Sequence, residues 1–495
     1  MDSYRQIMKA TSIFGGVQVF QILIKIIQSK FIAILLGPTG MGIAGLLTST
    51  TAIIGGLTSF GLGTSAVKNV ATANATNDFY RVSITVTVLK RLLWITGCLG
   101  TIITILLSPW LSEITFGNND YTFAFVWLSV TLLLTQLSSG QMVILQGLRK
   151  LKYLAQANLY GSVIGLVVSV PLYYLWGIKG IVPALIISAF FTLLLAYFFG
   201  SKIKINKVKI SLSSLKREGS DMAKMGFMLS LSGLIAIGAS YFLKIFISRF
   251  GYIEDVGLYN AGFAIINTYV GLVFTAMGTD YFPRLSEVAD SNLLCKQKIN
   301  QQAEIALLIL APIIAIFLVF INWIVILLYS DKFIAIQEMV HWAALGMFFK
   351  AMSWAIAFVL LAKGNSKLFF WNELIVNIYM LLLNMIGYKL FGLNGLGISF
   401  LIGYVLYLIQ VYFLTKIKYQ FNFEPILIKI FGFQFIISVL CFALVKYFTN
   451  FYSYLFGIFF IVISLLFSLF ELNKRVQLIS TLHNIKNKIF KKRNG

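Results

Sequence analysis

Apolar runs of twenty residues or more alternate with short polar stretches along the whole chain. About twenty apolar residues suffice to cross the hydrocarbon of a bilayer as a helix, and a helix satisfies all of its own backbone groups where no water can. The pattern predicts about fourteen spans. Their approximate limits are 8–36, 41–66, 83–107, 121–148, 153–176 and 179–200, then 225–249, 256–281, 302–328, 335–362, 368–391 and 395–415, and last 425–448 and 451–471. The fold class expected is an all-α polytopic membrane protein.

Glycines at the ends of these runs recur at one fixed distance. Gly42, Gly63 and the pair Gly177 and Gly180 return as Gly257, Gly278 and the pair Gly392 and Gly395, each 215 residues later. Their surroundings echo as well: GLGTSAVKNVA (61–71) faces AMGTDYFPRLSEVA (276–289), and GIKGI (177–181) faces GLNGL (392–396). Each copy holds six spans, an even number, so both start on the same side of the membrane. Two parallel six-helix lobes related by a pseudo-twofold along the membrane normal are therefore expected. The domain limits that follow are an N-terminal lobe at 1–200, a linker at 201–224, a C-terminal lobe at 225–416, two extra and peripheral spans at 417–471, and a basic tail at 472–495. In that tail Leu472, Val476, Ile479, Leu482, Ile485 and Ile489 keep helical spacing among lysines, as in an interfacial amphipathic helix.

Composition agrees with a membrane chain: 59% of the residues are hydrophobic and 12% charged. The net charge of +23 is one-sided, because most of the 40 basic residues fall on the side of the N-terminus and only Lys179, Arg249, Lys332, Lys389 and Lys446 lie in loops or helix ends opposite. The positive-inside rule puts both termini in the cytoplasm. Short juxtamembrane clusters fix topology and leave no folded basic domain for nucleic acid. The start MDSYRQIMKATSIFGG lacks the plan of a cleavable signal, so the first run is expected to stay as a helix. Cys98, Cys295 and Cys441 are far apart and imply no disulfide framework, and His341 and His483 cannot build a metal site by themselves.

Some motifs mislead. Gly40, Gly42 and Gly45 have the spacing of a dinucleotide-binding loop, but an apolar span precedes them where a strand is required, so they read as packing glycines. The sequon Asn74-Ala75-Thr76 lies on the expected cytoplasmic side. There is no phosphate loop, and no paired carboxylates or nucleophile arrangement at helical spacing. No cofactor and no enzymatic activity are expected.

Charges inside the spans carry the candidate chemistry. A lysine near the centre of a membrane helix costs about 2.5 to 3.5 kcal/mol on insertion scales, so it should face a wet cavity or a partner. Lys25 and Lys30 lie in span 1, Lys244 in span 7 and Lys350 in span 10, and the offset of 215 brings Lys30 to within one residue of Lys244. The competing reading is that the long side chains snorkel to the headgroups. Of the acids, Glu373 and Asp280 sit near the ends of spans 11 and 8, while Glu338 and Glu304 begin spans 10 and 9. They are candidates for ion coupling or for pairing with nearby lysines.

KFIAILLGPTGMGIAG (30–45), AVKNVA (66–71), EDVGLYNAG (254–262), FPRLSE (282–287) and SDKFIAIQEMVHW (330–342) resemble the Wzx-type polysaccharide flippases, the lipid III and O-antigen flippases among them, of the multidrug/oligosaccharidyl-lipid/polysaccharide exporter superfamily. The resemblance implies a two-lobed bundle in a bacterial inner membrane. Such a bundle moves an undecaprenyl-diphosphate-linked oligosaccharide, for instance an O-antigen-like repeat unit, to the outer leaflet by alternating access. It implies membrane lipids, a polysaccharide polymerase and other assembly proteins as partners. Lys30, Lys244 and Lys350 match basic positions of the pattern and carry over as diphosphate ligands, whereas Lys25 does not match and rests on its depth alone. Glu373, Asp255 and Glu338 fall where the pattern is acidic, and Asp280 is peculiar to this chain. The alternatives are a multidrug efflux transporter of the same superfamily, a membrane polysaccharide polymerase or ligase, and a noncatalytic scaffold. Short external loops argue against the enzymes, and a lysine-rich cavity against a carrier of organic cations.

Overall fold

A computed structural model of the chain describes residues 2–75, 78–203, 205, 208, 212–448 and 451–476. Among these residues every regular element is a helix. In chain order they are α1 (Asp2–Thr58), α2 (Leu62–Ala75), α3 (Phe79–Phe116), α4 (Thr122–Gly147), α5 (Leu151–Trp176), α6 (Ile181–Ser201), α7 (Leu212–Phe250), α8 (Ile253–Ala264), α9 (Leu272–Glu287), α10 (Asn292–Leu328), α11 (Gln337–Ala362), α12 (Ser366–Tyr419), α13 (Pro425–Tyr447) and α14 (Phe451–Val476). A π-helical segment, Ile265–Val270, joins α8 to α9. The protein is an all-α polytopic membrane protein.

Eleven helices among the described residues are long and apolar enough to cross a bilayer, and three of them each take in two of the expected spans. Phe20–Thr58 has 39 residues, Leu151–Ser201 has 51 and Ser366–Tyr419 has 54. At 1.5 Å per residue the last would measure about 80 Å against a hydrocarbon core of about 30 Å. Each contains a glycine with positive φ at the expected break between two spans: Gly37 (67°), Gly177 (55°) and Gly392 (58°). Counting two spans in each of the three restores the fourteen expected. Glycine is required at such points because a side chain would be strained there, and in hydrocarbon the helix must resume at once.

The apolar runs mark the crossings but not the helix ends. Residues 108–120, expected as an external loop, are helical as far as Phe116, where Gly117 in left-handed conformation closes α3. Residues 212–224, expected as linker, begin α7; Met222 there packs into a core with Leu62, Val86, Leu89 and Ile144, and Glu218 pairs with Arg81 at 2.6 Å. Span 8 is built from α8, the π-helical segment and α9 rather than one regular helix. Outside the hydrocarbon a helix needs no apolar face all round, so hydropathy stops reporting it. The tail expected as an amphipathic helix lies outside the described residues beyond Val476.

The Cα framework divides into two compact units, Met1–Asn260 with Leu327–Lys332, and Ala261–Ile326 with Phe333–Gly495. In the second unit α11 is largely buried, and α13 packs on it through Phe431 and Phe435, whose rings lie 5.3 Å from that of Phe349. α14 adheres to α13 by polar contacts: the fully buried Gln434 donates to Ser468 at 2.8 Å and accepts from Ser464 at 2.7 Å. Buried amide and hydroxyl groups are adhesive between membrane helices because hydrocarbon offers them no other partner.

The repeat is visible in the backbone. Gly177 (φ 55°, ψ −132°) and Gly392 (φ 58°, ψ −138°) share one unusual conformation. Arg149 and Gly364, also 215 apart, both have positive φ, 56° and 72°. The backbone of Gly180 lies against the carbonyl of Leu172, and that of Gly395 against the carbonyl of Gly387. Gly63 faces Ser139, and Gly278 faces Trp354. In every case the second contact is the first displaced by 215.

At Gly42 and Gly257 the copies meet reciprocally. Within the first unit, a Cβ added to Gly42 would run into the carbonyl of Ile253 and the amide of Gly257, and one added to Gly257 into the carbonyl of Pro38 and the amide of Gly42. Ile253 is Pro38 displaced by 215, so the contact is reciprocal, as at a local twofold axis. Gly45 continues it against Asn260, its own counterpart. We therefore expect Gly42→Ala and Gly257→Ala each to lower the thermal midpoint of the detergent-purified protein, at an overpacking cost of about 1 to 3 kcal/mol. Gly233→Ala, where a Cβ meets nothing within 4 Å, should be neutral in the same fluorescence-detected gel-filtration assay.

Candidate functional site

Four lysines were expected inside spans, and the structure gives each a distinct setting. Lys25 and Lys30 share α1, where five residues amount to about 140° around the axis, so they serve different faces. Lys25 is exposed and Lys30 half-buried. Lys244, on α7, is half-buried and donates from Nζ to Ser49 Oγ of α1 at 2.7 Å. The residue that corresponds to Lys244 in the first copy is Ser29, and a step of one residue turns a side chain by about 100°. Lys30 and Lys244 are thus neighbours by register without being equivalent in direction. All of these groups belong to the first unit.

Lys350, in the second unit, sits in a box of polar and aromatic groups. Its Nζ donates to Asn267 Oδ1 at 2.8 Å and lies 5.3 Å from the ring centre of Tyr404, 5.6 Å from Phe400 and 5.9 Å from Phe274. Aromatic faces attract an ammonium through their negative quadrupoles and more so out of water. Asn267 lies in the π-helical segment, where the extra residue per turn displaces side chains from their helical register. Sequence reading passed over Asn267 and Tyr404, since neither carries charge and π-helices leave no pattern.

Tyr404 links this box to Glu373. The rings of Tyr404 and Tyr407 are 6.3 Å apart, Tyr407 Oη donates to Glu373 Oε1 at 2.9 Å, and the neighbouring Asn372 accepts from Gln410 at 2.9 Å. Hydrogen bonds join Glu373, Tyr407, Asn372 and Gln410, while ring contacts of Tyr404 lie between that group and Lys350. In a low-dielectric interior such a chain is worth keeping only when its members satisfy one another.

The other acids have local partners. Asp280 pairs with Arg284 at 2.8 Å, one turn along α9 and largely exposed, the weakest kind of ion pair. Glu338 accepts from Asn394 in the first turn of α11, and Asp255 accepts from the amide of Tyr252 in the first turn of α8. Both carboxylates stand where the helix dipole favours negative charge. Glu304 is engaged differently: Arg475, at the end of α14, bonds Glu304 and Glu471 at 2.6 Å each. That cluster ties α14 to α10 across 171 residues of sequence, and separation alone hid it.

The first unit contains a neutral cavity of about 370 Å³. Its wall holds Thr48, Thr51, Thr58, Ser59, Thr96, Thr131, Thr135, Gln136 and Ser139, and no charged residue. Several of the hydroxyls bond the carbonyl a turn back, as Thr51 does to Leu47 and Thr135 to Thr131, and keep an acceptor for a guest. No group of three or more His, Cys, Asp or Glu among the described residues is placed to hold a metal ion.

Residues 31–338, more than half of the chain, match the family model described as polysaccharide biosynthesis protein. The chain belongs to that family. It is similar to the lipid III flippases of Escherichia coli (strain K12) and Shigella flexneri, each 20% identical over 363 residues that cover 70% of this chain and 83% of the relative. Two solved structures share the fold. One is an inward-facing multidrug resistance MATE family transporter of the MOP superfamily, with a TM-score of 0.67 at 15% identity, covering 81% of this chain and 94% of the other. The second is the lipid II flippase MurJ in an inward closed conformation, with a TM-score of 0.65 at 13% identity, covering 94% and 99%. At such identities the likeness speaks for the fold alone.

The side chains of Glu304, Glu471 and Arg475 are 7%, 13% and 19% exposed. Removing the arginine would leave Glu304, the more buried carboxylate, without its ion-pair partner, while Glu471 keeps Lys474. Arg475→Ala in this family member is expected to cost about 3 to 5 kcal/mol, read as a fall in thermal midpoint, while the charge-free pair Glu304→Gln with Arg475→Met should recover part of it.

Proposed function

We propose that this protein is a flippase that carries an undecaprenyl-diphosphate-linked oligosaccharide, of the O-antigen repeat-unit type, from the cytoplasmic to the outer leaflet of a bacterial inner membrane, with both termini in the cytoplasm. The observation that carries the reading is the state of two lysines inside membrane-spanning helices. Lys244 is held by a serine hydroxyl, Lys350 by an amide and three rings, and neither has a carboxylate partner among the described residues. A lysine so placed keeps its positive charge available, at a cost that a bound anion offsets. A diphosphate is the anion that a polyprenyl-linked sugar must bring through hydrocarbon, and it is bound through charge-assisted hydrogen bonds.

In this reading Lys30 and Lys244 grip the diphosphate within the first unit, Lys350 is a phosphate-binding candidate of the second unit, and Lys25 contributes from a separate face of α1. Sugar hydroxyls meet the threonine-lined cavity, whose donors and acceptors suit a neutral polyol. The prenyl chain stays in the bilayer. The two lobes, each of six spans, alternate the side to which the substrate is exposed, and the hydrogen-bonded group around Glu373 offers a place for coupling. The lipid III flippase relatives and the family description support this assignment.

The MATE fold likeness favours a second reading, a multidrug efflux transporter. Lysines without counter-ions speak against it, because an organic cation would be repelled from the same helices. Complementation of a flippase-deficient strain separates the two. Lys30→Ala and Lys244→Ala should each reduce surface polysaccharide at least tenfold at equal membrane expression, with Lys244→Arg retaining much of it. Full activity of both alanine variants would sink the diphosphate assignment, and drug resistance conferred by the wild type without glycan export would favour the second reading.

A further inference from the structure

A cavity in the second unit is lined by residues other than those of the lysine box. It measures about 730 Å³ and is bounded by the ends of α9 and α10 on one side and by α13 and α14 on the other. Its wall combines two chemistries. Ile305, Ile430 and Phe467 line part of it, and five basic residues with three acidic ones line the rest, a net charge of +2.

The acids are largely spoken for. Glu304 and Glu471 are engaged by Arg475, and Glu471 also by Lys474 at 3.0 Å. Lys298 and Lys429, by contrast, have no partner among the described residues. Beside them stands Gln302, 4% exposed, whose carbonyl oxygen accepts from Arg284 at 3.3 Å while its Nε2 donates to nothing. An amide N–H buried at the wall of a cavity without an acceptor is costly, and costly groups of this kind mark missing ligands. Asn300 fixes the approach to α13 by accepting from the amide of Glu424 at 2.9 Å and donating to the carbonyl of Asn422 at 3.2 Å.

We propose that this pocket binds the phosphate headgroup of an anionic membrane lipid, with Lys298, Lys429 and Gln302 Nε2 as its donors and the apolar wall receiving the start of an acyl or prenyl chain. Lys298 and Lys429 give positive charge to a wall that also holds Gln302, and the adjoining hydrocarbon wall selects a lipid over a free anion.

Binding is tested on the full-length protein, purified in detergent and stripped of lipid, by native mass spectrometry with added phosphatidylglycerol. The wild type should retain the lipid, phosphatidylcholine should be retained far less, and Lys298→Ala/Lys429→Ala should weaken the apparent affinity for phosphatidylglycerol about tenfold or more. Gln302→Leu, which removes the orphan donor without touching charge, serves where the double variant folds poorly and should weaken binding severalfold. Undecaprenyl diphosphate as competitor distinguishes the source: displacement assigns the pocket to a prenyl diphosphate, and lack of it to a resident phospholipid. Unchanged retention in both variants overturns the proposal, as does equal occupancy by inorganic phosphate alone. The readout is lipid binding rather than glycan export, so its failure leaves the transport assignment standing.

Discussion

The close approach of backbone to backbone at Gly42 and Gly257 is the constraint on which the first unit turns. Two helices separated by more than two hundred residues touch there with no side chain between them, and each touches the counterpart of what the other touches. Packing of this kind is the main adhesive available in a membrane, since lipid tails remove any hydrophobic drive between helices. It also fixes register, because a helix can approach so closely only where glycine stands. The same economy recurs at Gly180 against Leu172 and at Gly395 against Gly387, once in each copy. Duplication thus preserved bare backbone contacts while most side chains around them diverged.

That division explains what could be read from the chain. The spans, their number and the offset of 215 were legible because bilayer thickness and glycine geometry leave direct marks on sequence. Helix ends were not, as α3 and α7 show by running on through residues expected as loop and linker, where water rather than hydrocarbon sets the rules. Lys244 and Lys350 were legible as costly charges. Their partners Ser49, Asn267 and Tyr404 were not, because neutral polar residues in a span are common and only a fold says which one meets an ammonium. Arg475 with Glu304 was hidden for another reason: both ends of the pair looked like ordinary juxtamembrane charge.

The ion pair and the lysine boxes answer the same electrostatic problem in opposite ways. Around Arg475 charge is cancelled by carboxylates, which makes a strut between α14 and α10 and nothing that a ligand must complete. Around Lys350 the charge is only cushioned, by a carbonyl oxygen and by ring faces that attract it without neutralising it. Full pairing gives stability, and partial compensation keeps a field that can act on a guest. Within one chain, the choice of partner therefore separates a cation that is fully paired from one that keeps its field, which burial alone does not do.

The repeat sharpens that distinction. Displacing Lys350 by 215 leads to Thr135, which lines the neutral cavity of the first unit, and displacing Asn267 leads to Ala52 in the same wall. The two copies therefore offer corresponding places with unlike chemistry: hydroxyls in one, an ammonium in the other. Hydroxyls suit a polyol and an ammonium suits a phosphate, so the chain holds donors of both sorts that the proposed substrate class needs. A carrier of small symmetric cations would gain nothing from such a split. The glycines, common to both copies, hold the frame, and the residues that the copies do not share are where the proposed function resides.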